Sequence, residues 1–165
     1  MKGKSTKKGA ASSLTAPTTP ADKQIAGFIA KFDPKIARQI RACRAVLRKR
    51  FPTANELVYD NYNFFVIGFC STERPSDCIV SLAANSQGVG LSFYWGSTLP
   101  DPHKILQGSG SQNRFVRLPT PETLSDPKVI ALINAAVAQA KTPLPTSVRG
   151  ISIVRSISAK QRPRR

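Results

Sequence analysis

The chain is short of the residues that most chemistry needs. Its 165 residues include three cysteines, one histidine and nine acids. The cysteines stand at 43, 70 and 78 with no CxxC pair. A structural zinc site takes about four Cys, His or carboxylate ligands at short spacing, and this set does not supply them. An odd, dispersed set of thiols fits free cysteines in a reducing compartment, so the expected location is cytoplasmic. His103 has Gln107 and Gly110 at its helical i+4 and i+7 positions, neither an acid–base partner. It reads first as an exposed residue on the first turn of a short helix. No G-x-S-x-G elbow and no P-loop occurs. Catalysis would therefore have to use His103 or one of the cysteines. Cys43 falls on an apolar helix face and Cys70 and Cys78 fall in strand positions, so all three read first as packing residues. No metal, cofactor or catalytic residue is called for.

Long apolar runs are missing too. No stretch approaches the ~18 residues of a membrane span. The opening MKGKSTKKGAASSLTAPTTPA has lysines with no apolar segment behind them, unlike a secretory signal, and no arginine, unlike a transit peptide.

What the chain has is positive charge, +16 in all. Lys2, Lys4, Lys7 and Lys8 mark one end; Arg149, Arg155, Lys160, Arg162, Arg164 and Arg165 mark the other, with no acid among them. A field of this sign favours polyanions, so an anionic ligand or nucleic acid is the expected partner.

Residues 1–19, rich in Ser, Thr, Ala, Lys and Pro, read as a disordered basic arm. Thr19 and Pro20 open a helix predicted to reach Phe32, with Ile25, Phe28, Ile29 and Phe32 as its apolar stripe. Asp33-Pro34 restarts a second helix, which runs to about Arg50 and stops before Pro52. Ile36, Ile40, Cys43 and Leu47 share one face of it. Arg38, Arg41, Arg44 and Arg48 form a ridge on another, a candidate electrostatic surface for nucleic acid or another anion. The same ridge is also what a solvated helix face with long apolar stems would look like.

Strands are predicted at 57–59, 64–70, 78–82, 89–95 and 115–118, with a turn at Asn85–Gly88. Cys70 and Cys78 flank one loop and are expected opposite each other. Pro100–Leu106 reads as a short helical turn. Asp126-Pro127 opens a last helix to about residue 141. The domain is thus bounded at 20–141, with 142–165 a basic extension that adds at most one strand and then runs disordered. The fold class is α+β: two helices, an antiparallel four- to five-stranded sheet, and a C-terminal helix, with the helices on one sheet face.

A small ligand pocket is expected from Tyr94 and Trp95 with Gly108, Gly110 and Arg114. The glycine loop could offer backbone amides to an anion, with Arg114 beside it. Tyr59, Tyr62, Tyr94 and Trp95, near Asn61 and Asn63, are the aromatics that could stack bases, and the alternation puts Tyr94 on the open side and Trp95 on the buried side.

Several of these segments together resemble a known family. The carriers are Leu47-Arg48-Lys49-Arg50-Phe51-Pro52, Glu56-Leu57-Val58-Tyr59, and Leu99-Pro100-Asp101-Pro102 followed by Leu106-Gln107-Gly108-Ser109-Gly110 and Arg114-Phe115-Val116. Over residues 20–140 the chain resembles the YdhG-like domain family, a family of unknown function, with Ser111 where a lysine is usual. The resemblance implies a two-layer sandwich similar to frataxin-type folds, for which an iron-chaperone role has been suggested. The residues argue against iron here. The first helix offers only Asp22 and Asp33, at its ends, and the positive field repels a cation. The expected function is that of a non-catalytic module binding an anionic ligand or polyanion.

Overall fold

The computed structural model describes residues 18–165. All but the last two residues of the basic arm read over 1–19 lie outside the described residues.

The first described turn is a capping box. The Thr19 hydroxyl accepts from the Asp22 amide at 3.1 Å, and the Asp22 carboxylate accepts from the Thr19 amide at 3.1 Å. Two orphan amides of the helix start are thereby satisfied. Helix α1 spans Pro20–Ile29, three residues shorter than the apolar stripe suggested. Pro34 is the reason: it forces Asp33 out of helical geometry, and the chain leaves through i→i+3 bonds such as Phe32 N–H to Ile29 C=O, 3.1 Å. Helix α2 spans Pro34–Arg50. Asp33 stands at its N-cap position, yet its side chain makes no capping bond. Helix α3 spans Pro127–Gln139, and there Asp126 does cap, accepting from the Lys128 amide at 2.9 Å.

The strands are β1 Asn55–Asp60, β2 Phe65–Cys70, β3 Cys78–Asn85, β4 Gly88–Phe93, β5 Arg114–Arg117 and β6 Ser152–Ile157. They form one sheet in the order β5-β4-β3-β2-β1-β6. The first five make an antiparallel meander. The sixth returns to lie parallel to β1, with a bulge between Val58 and Tyr59. The sheet has six strands where four to five are expected for the core, the sixth being the one strand allowed to the C-terminal extension, and the chain after it is not loose. Ser158 N–H bonds to Asp60 C=O and Arg162 N–H to Tyr62 C=O, both at 2.9 Å. Arg164 is buried. The expectation of disorder over 156–165 fails because a buried carboxylate, Asp60, holds the tail.

All three helices pack on one sheet face. Ile25, Phe32, Ile40, Leu47 and Leu132 meet Val58, Ile67, Leu82, Leu91 and Phe93 in one core. No described helix lies over the opposite face.

The Pro100–Leu106 segment is a turn rather than a helix. Asp101 turns back and accepts from the amides of Ile105 and Leu106, both at 3.0 Å, and Lys104 takes a positive φ of 53°. A carboxylate that engages two amides this close offers the backbone an alternative to helix, as short polar side chains do.

Candidate functional site

The register fixes what lies on the helix-free face. Across the sheet, one row runs Ile153, Leu57, Gly68, Ser81, Ser92, Phe115. The next begins at Tyr59 and runs Val66, Ala83, Gly90, Arg117. The alternate residues, such as Ile67, Leu82 and Leu91, belong to the core. The middle strands thus show solvent nothing larger than valine. The result is a groove of about 1010 Å³ whose floor is Val66, Ser81, Ala83, Gly90 and Ser92. Phe64, 43% exposed, and Phe115 line it, and Arg117 supplies a cation. Its far end wraps onto the start of α2 at Asp33 and Lys35.

Charge is distributed unevenly between the two faces. The six strands contain only two acids, Glu56 and Asp60, and both are buried on the helix side. Glu56 is held by Arg44 in a two-pronged pair, 2.7 and 3.0 Å, and by the Ser152 hydroxyl at 2.7 Å. Asp60 is held by Lys31 at 2.6 Å and Arg164 at 3.0 Å. Burial alone would raise the Asp60 carboxyl. The hydrogen bonds from Lys31, Gln161 and Arg164 outweigh it and hold the group below the ordinary carboxylate value. The outward strand positions carry no acid, and Arg117 stands among them.

A second apolar cluster covers the other end of this face. Leu57, Cys70 and Cys78 are buried beneath Tyr59, Tyr94 and Ile153. Cys70 and Cys78 are register partners, as expected. The Tyr59 hydroxyl is buried with no well-formed hydrogen bond among the described residues; burial and the nearby Cys70 raise its pKa against the opposing effect of Arg155.

The expected pocket residues fall into two groups, Tyr94 with Trp95 and Arg114 with Gly108 and Gly110, and do not line one cleft. Strand β4 ends at Phe93, so alternation stops there. Trp95 is 38% exposed and Tyr94 half-buried, the reverse of the alternation reading. Their rings meet edge to face at 5.0 Å. Trp95 then turns to the helix side of the β2–β3 loop, where its indole donates to Ser76 C=O at 3.0 Å and Lys141 stands 5.9 Å over its ring. The cleft there, about 290 Å³, is lined by Trp95, Thr98 and Gln139 but not by Tyr94, Gly108, Gly110 or Arg114. Arg114 directs its guanidinium to the Gly110 and Asn113 carbonyls, and so braces its own loop. Gly108, at φ +111°, makes the reversal that the loop requires.

The arginine ridge divides. Arg44 and Arg48 reach Glu56 and Asp22, whereas Arg38 and Arg41 are exposed with no ion pair among the described residues. His103 is exposed on its turn and makes no hydrogen bond among them. Cys43 is buried in α2, and burial, with Glu122 nearby, pushes its thiol up to about 11. Among the described residues no three His, Cys, Asp or Glu side chains converge as metal ligands. No described helix is long and apolar enough to cross a membrane.

No known family, curated protein or solved structure matches this chain. The groove is therefore read from its own chemistry. Sequence reasoning missed it, though a signal was present. In Val80-Ser81-Leu82-Ala83 and Val89-Gly90-Leu91-Ser92 the residues between core positions are all small, where a merely solvated face would carry Lys, Glu or Thr.

Proposed function

We propose that the protein is a non-catalytic binding module for single-stranded nucleic acid, which lies along the helix-free sheet face. The observation that carries this reading is the groove itself: a small-residue floor, rings at Phe64 and Phe115, a cation at Arg117 and no acid at the outward strand positions. Bases have flat apolar faces and stack on aromatic side chains without regard to sequence. Small floor residues let a base approach the sheet closely. A net charge of +16 supplies the long-range attraction to phosphate.

The test is fluorescence anisotropy of the full chain with labelled random RNA and single-stranded DNA at about 50 and 200 mM salt. Binding is expected to weaken steeply with salt. Phe64→Ala and Phe115→Ala should each cost about 1–3 kcal/mol, the usual worth of one stacked base. Absence of binding at low salt sinks the reading. Salt-sensitive binding indifferent to both phenylalanines sinks the groove as the site and leaves charge alone.

A further inference from the structure

A separate cleft of about 520 Å³ lies between the end of α2 and the segment entering β6. Arg48 and Lys49 line it from the helix, and Arg149 lines it from the other side. Thr53 adds a hydroxyl, and Phe51 and Phe69, both buried in the core, contribute apolar walls.

The backbone is built to bring Arg149 there. Gly150 N–H bonds to Pro52 C=O at 3.0 Å, and Ile151 N–H to the Asn55 side chain at 3.2 Å. Gly150 sits so close to the turn after α2 that a Cβ would lie 1.8 Å from the Ala54 carbonyl oxygen. Only glycine fits, and its neighbour Arg149 is thereby held beside the helix end.

Cations in the last turn of a helix ordinarily answer the negative end of its dipole. That accounts for Arg48, Lys49 and Arg50, and Arg50 is also engaged by Asn134 and by the Phe51 ring, 5.5 Å away. It does not account for a fourth cation brought in from a distant segment. The one acid of the cleft, Glu56, is already matched by Arg44, with Arg48 at 3.5 Å as a surplus neighbour. Lys49 and Arg149 have no ion-pair partner among the described residues. Arg48 is answered by Glu56 and Asp22, so two unanswered cations, Lys49 and Arg149, line this partly apolar cleft and can be joined by an anion.

We infer that this cleft binds a small phosphate monoester with an apolar body, the phosphate between Lys49 and Arg149 and the body against Phe51 and Phe69. The site is distinct from the sheet face and does not depend on the nucleic-acid reading.

The experiment is an amide NMR titration of the full chain with phenyl phosphate, with inorganic phosphate and phenol as separate arms. Phenyl phosphate at millimolar concentration is expected to move Thr53, Arg149 and Gly150 saturably and to bind more tightly than either fragment. Lys49→Met with Arg149→Met should weaken it by about tenfold to a hundredfold, the worth of a charge-assisted bond. Both side chains are solvent-exposed, and Lys49→Gln with Arg149→Gln repeats the test if the first pair folds poorly. Arg117→Glu, on the sheet face, should change nothing. No shift at those amides, or equal affinity in the double variant, overturns the proposal. Equal affinity for phosphate and phenyl phosphate overturns the apolar half of it.

Discussion

Replacing Arg164 with alanine should unfasten the chain's last segment from its core. Asp60 is 0% exposed and Arg164 3% exposed at their side chains, and they meet at 3.0 Å. Arg164 also donates to Asn61 C=O at 2.6 Å and lies 5.8 Å from the Phe32 ring. Its Nε and Nη1 have no hydrogen-bond partner among the described residues, which takes something back from the pair. Breaking a buried pair from one side costs about 3–5 kcal/mol, because the remaining charge is left without its match in a low-dielectric site. Here Lys31 stays 2.6 Å from the other Asp60 oxygen, and the freed tail admits water. The expected loss is therefore lower, about 2–4 kcal/mol. At roughly 2–4 °C per kcal/mol for a chain of this size, the melting temperature should fall by roughly 4–16 °C.

The assay is urea unfolding followed by far-ultraviolet circular dichroism, run on five proteins: the parent, Arg164→Ala, Arg165→Ala, Asp60→Asn and the Asp60→Asn, Arg164→Ala double variant. Arg165→Ala is the control: that side chain is exposed, bonds only to the Ala30 and Lys31 carbonyls, and should cost about 0.5 kcal/mol or less. Asp60→Asn removes the charge that Arg164 answers. If the argument is right, Arg164→Ala costs much less in the Asp60→Asn background than in the parent, a coupling of at least about 1 kcal/mol. A loss under about 0.5 kcal/mol, or the same loss in both backgrounds, would refute the claim that the ion pair fastens the tail.

Asp60 and Asp22 both have folded-state pKa values below their ordinary ones; their stabilisation is complete above the unfolded value near 3.8 and is lost as pH falls below it through the folded value, so stability should drop in that acid range and Asp60→Asn should flatten the slope in acid titrations. Gly96→Ala would place a Cβ 2.5 Å from Arg114 Cβ and 2.7 Å from its amide nitrogen, and calorimetry should show a loss of about 1–3 kcal/mol. Gly27→Ala, on the exposed side of α1 with nothing within 4 Å of the new methyl, should instead stabilise by about 0.5–1 kcal/mol. Thr19→Ala should cost about 0.5–2 kcal/mol through the lost cap. Cys43, buried with its thiol pushed up to about 11, should not react with a disulfide reagent at pH 8 until the chain unfolds.

Local chemistry was legible in the sequence and remote chemistry was not. Thr19-Pro20, Asp33-Pro34 and Asp126-Pro127 mark helix starts by signals contained in a few residues, and all three helices begin where those signals stand. The meander was legible for the same reason: alternation of Val89, Leu91 and Phe93 with small residues is a period-two pattern in one strand. That pattern misled at Trp95 because alternation holds only while the strand lasts, and nothing local said that β4 stops at Phe93. The strand β6 and the tail behind it depend on Glu56 and Asp60, roughly a hundred residues earlier, and no pattern within residues 142–165 announces a buried partner that distant.

The two buried acids also decide where the positive field is felt. From composition, every acid lowers the positive field equally. In the fold, Glu56 and Asp60 sit behind the sheet and are answered by Arg44, Arg164 and Lys31, so they subtract little from the outward face. Deleting residues 156–165 is for this reason a poor test of whether the basic tail captures nucleic acid. It would remove Arg164 with the tail, leave Asp60 half-answered, and confuse lost binding with lost folding. Exchanging only Lys160 and Arg162, which make no ion pair among the described residues, separates the two. If the tail adds affinity by charge alone, Lys160→Gln with Arg162→Gln should lower the salt dependence of oligonucleotide binding by about one to two ion equivalents at unchanged stability. An unchanged salt slope would assign the attraction to the sheet face and the helices instead.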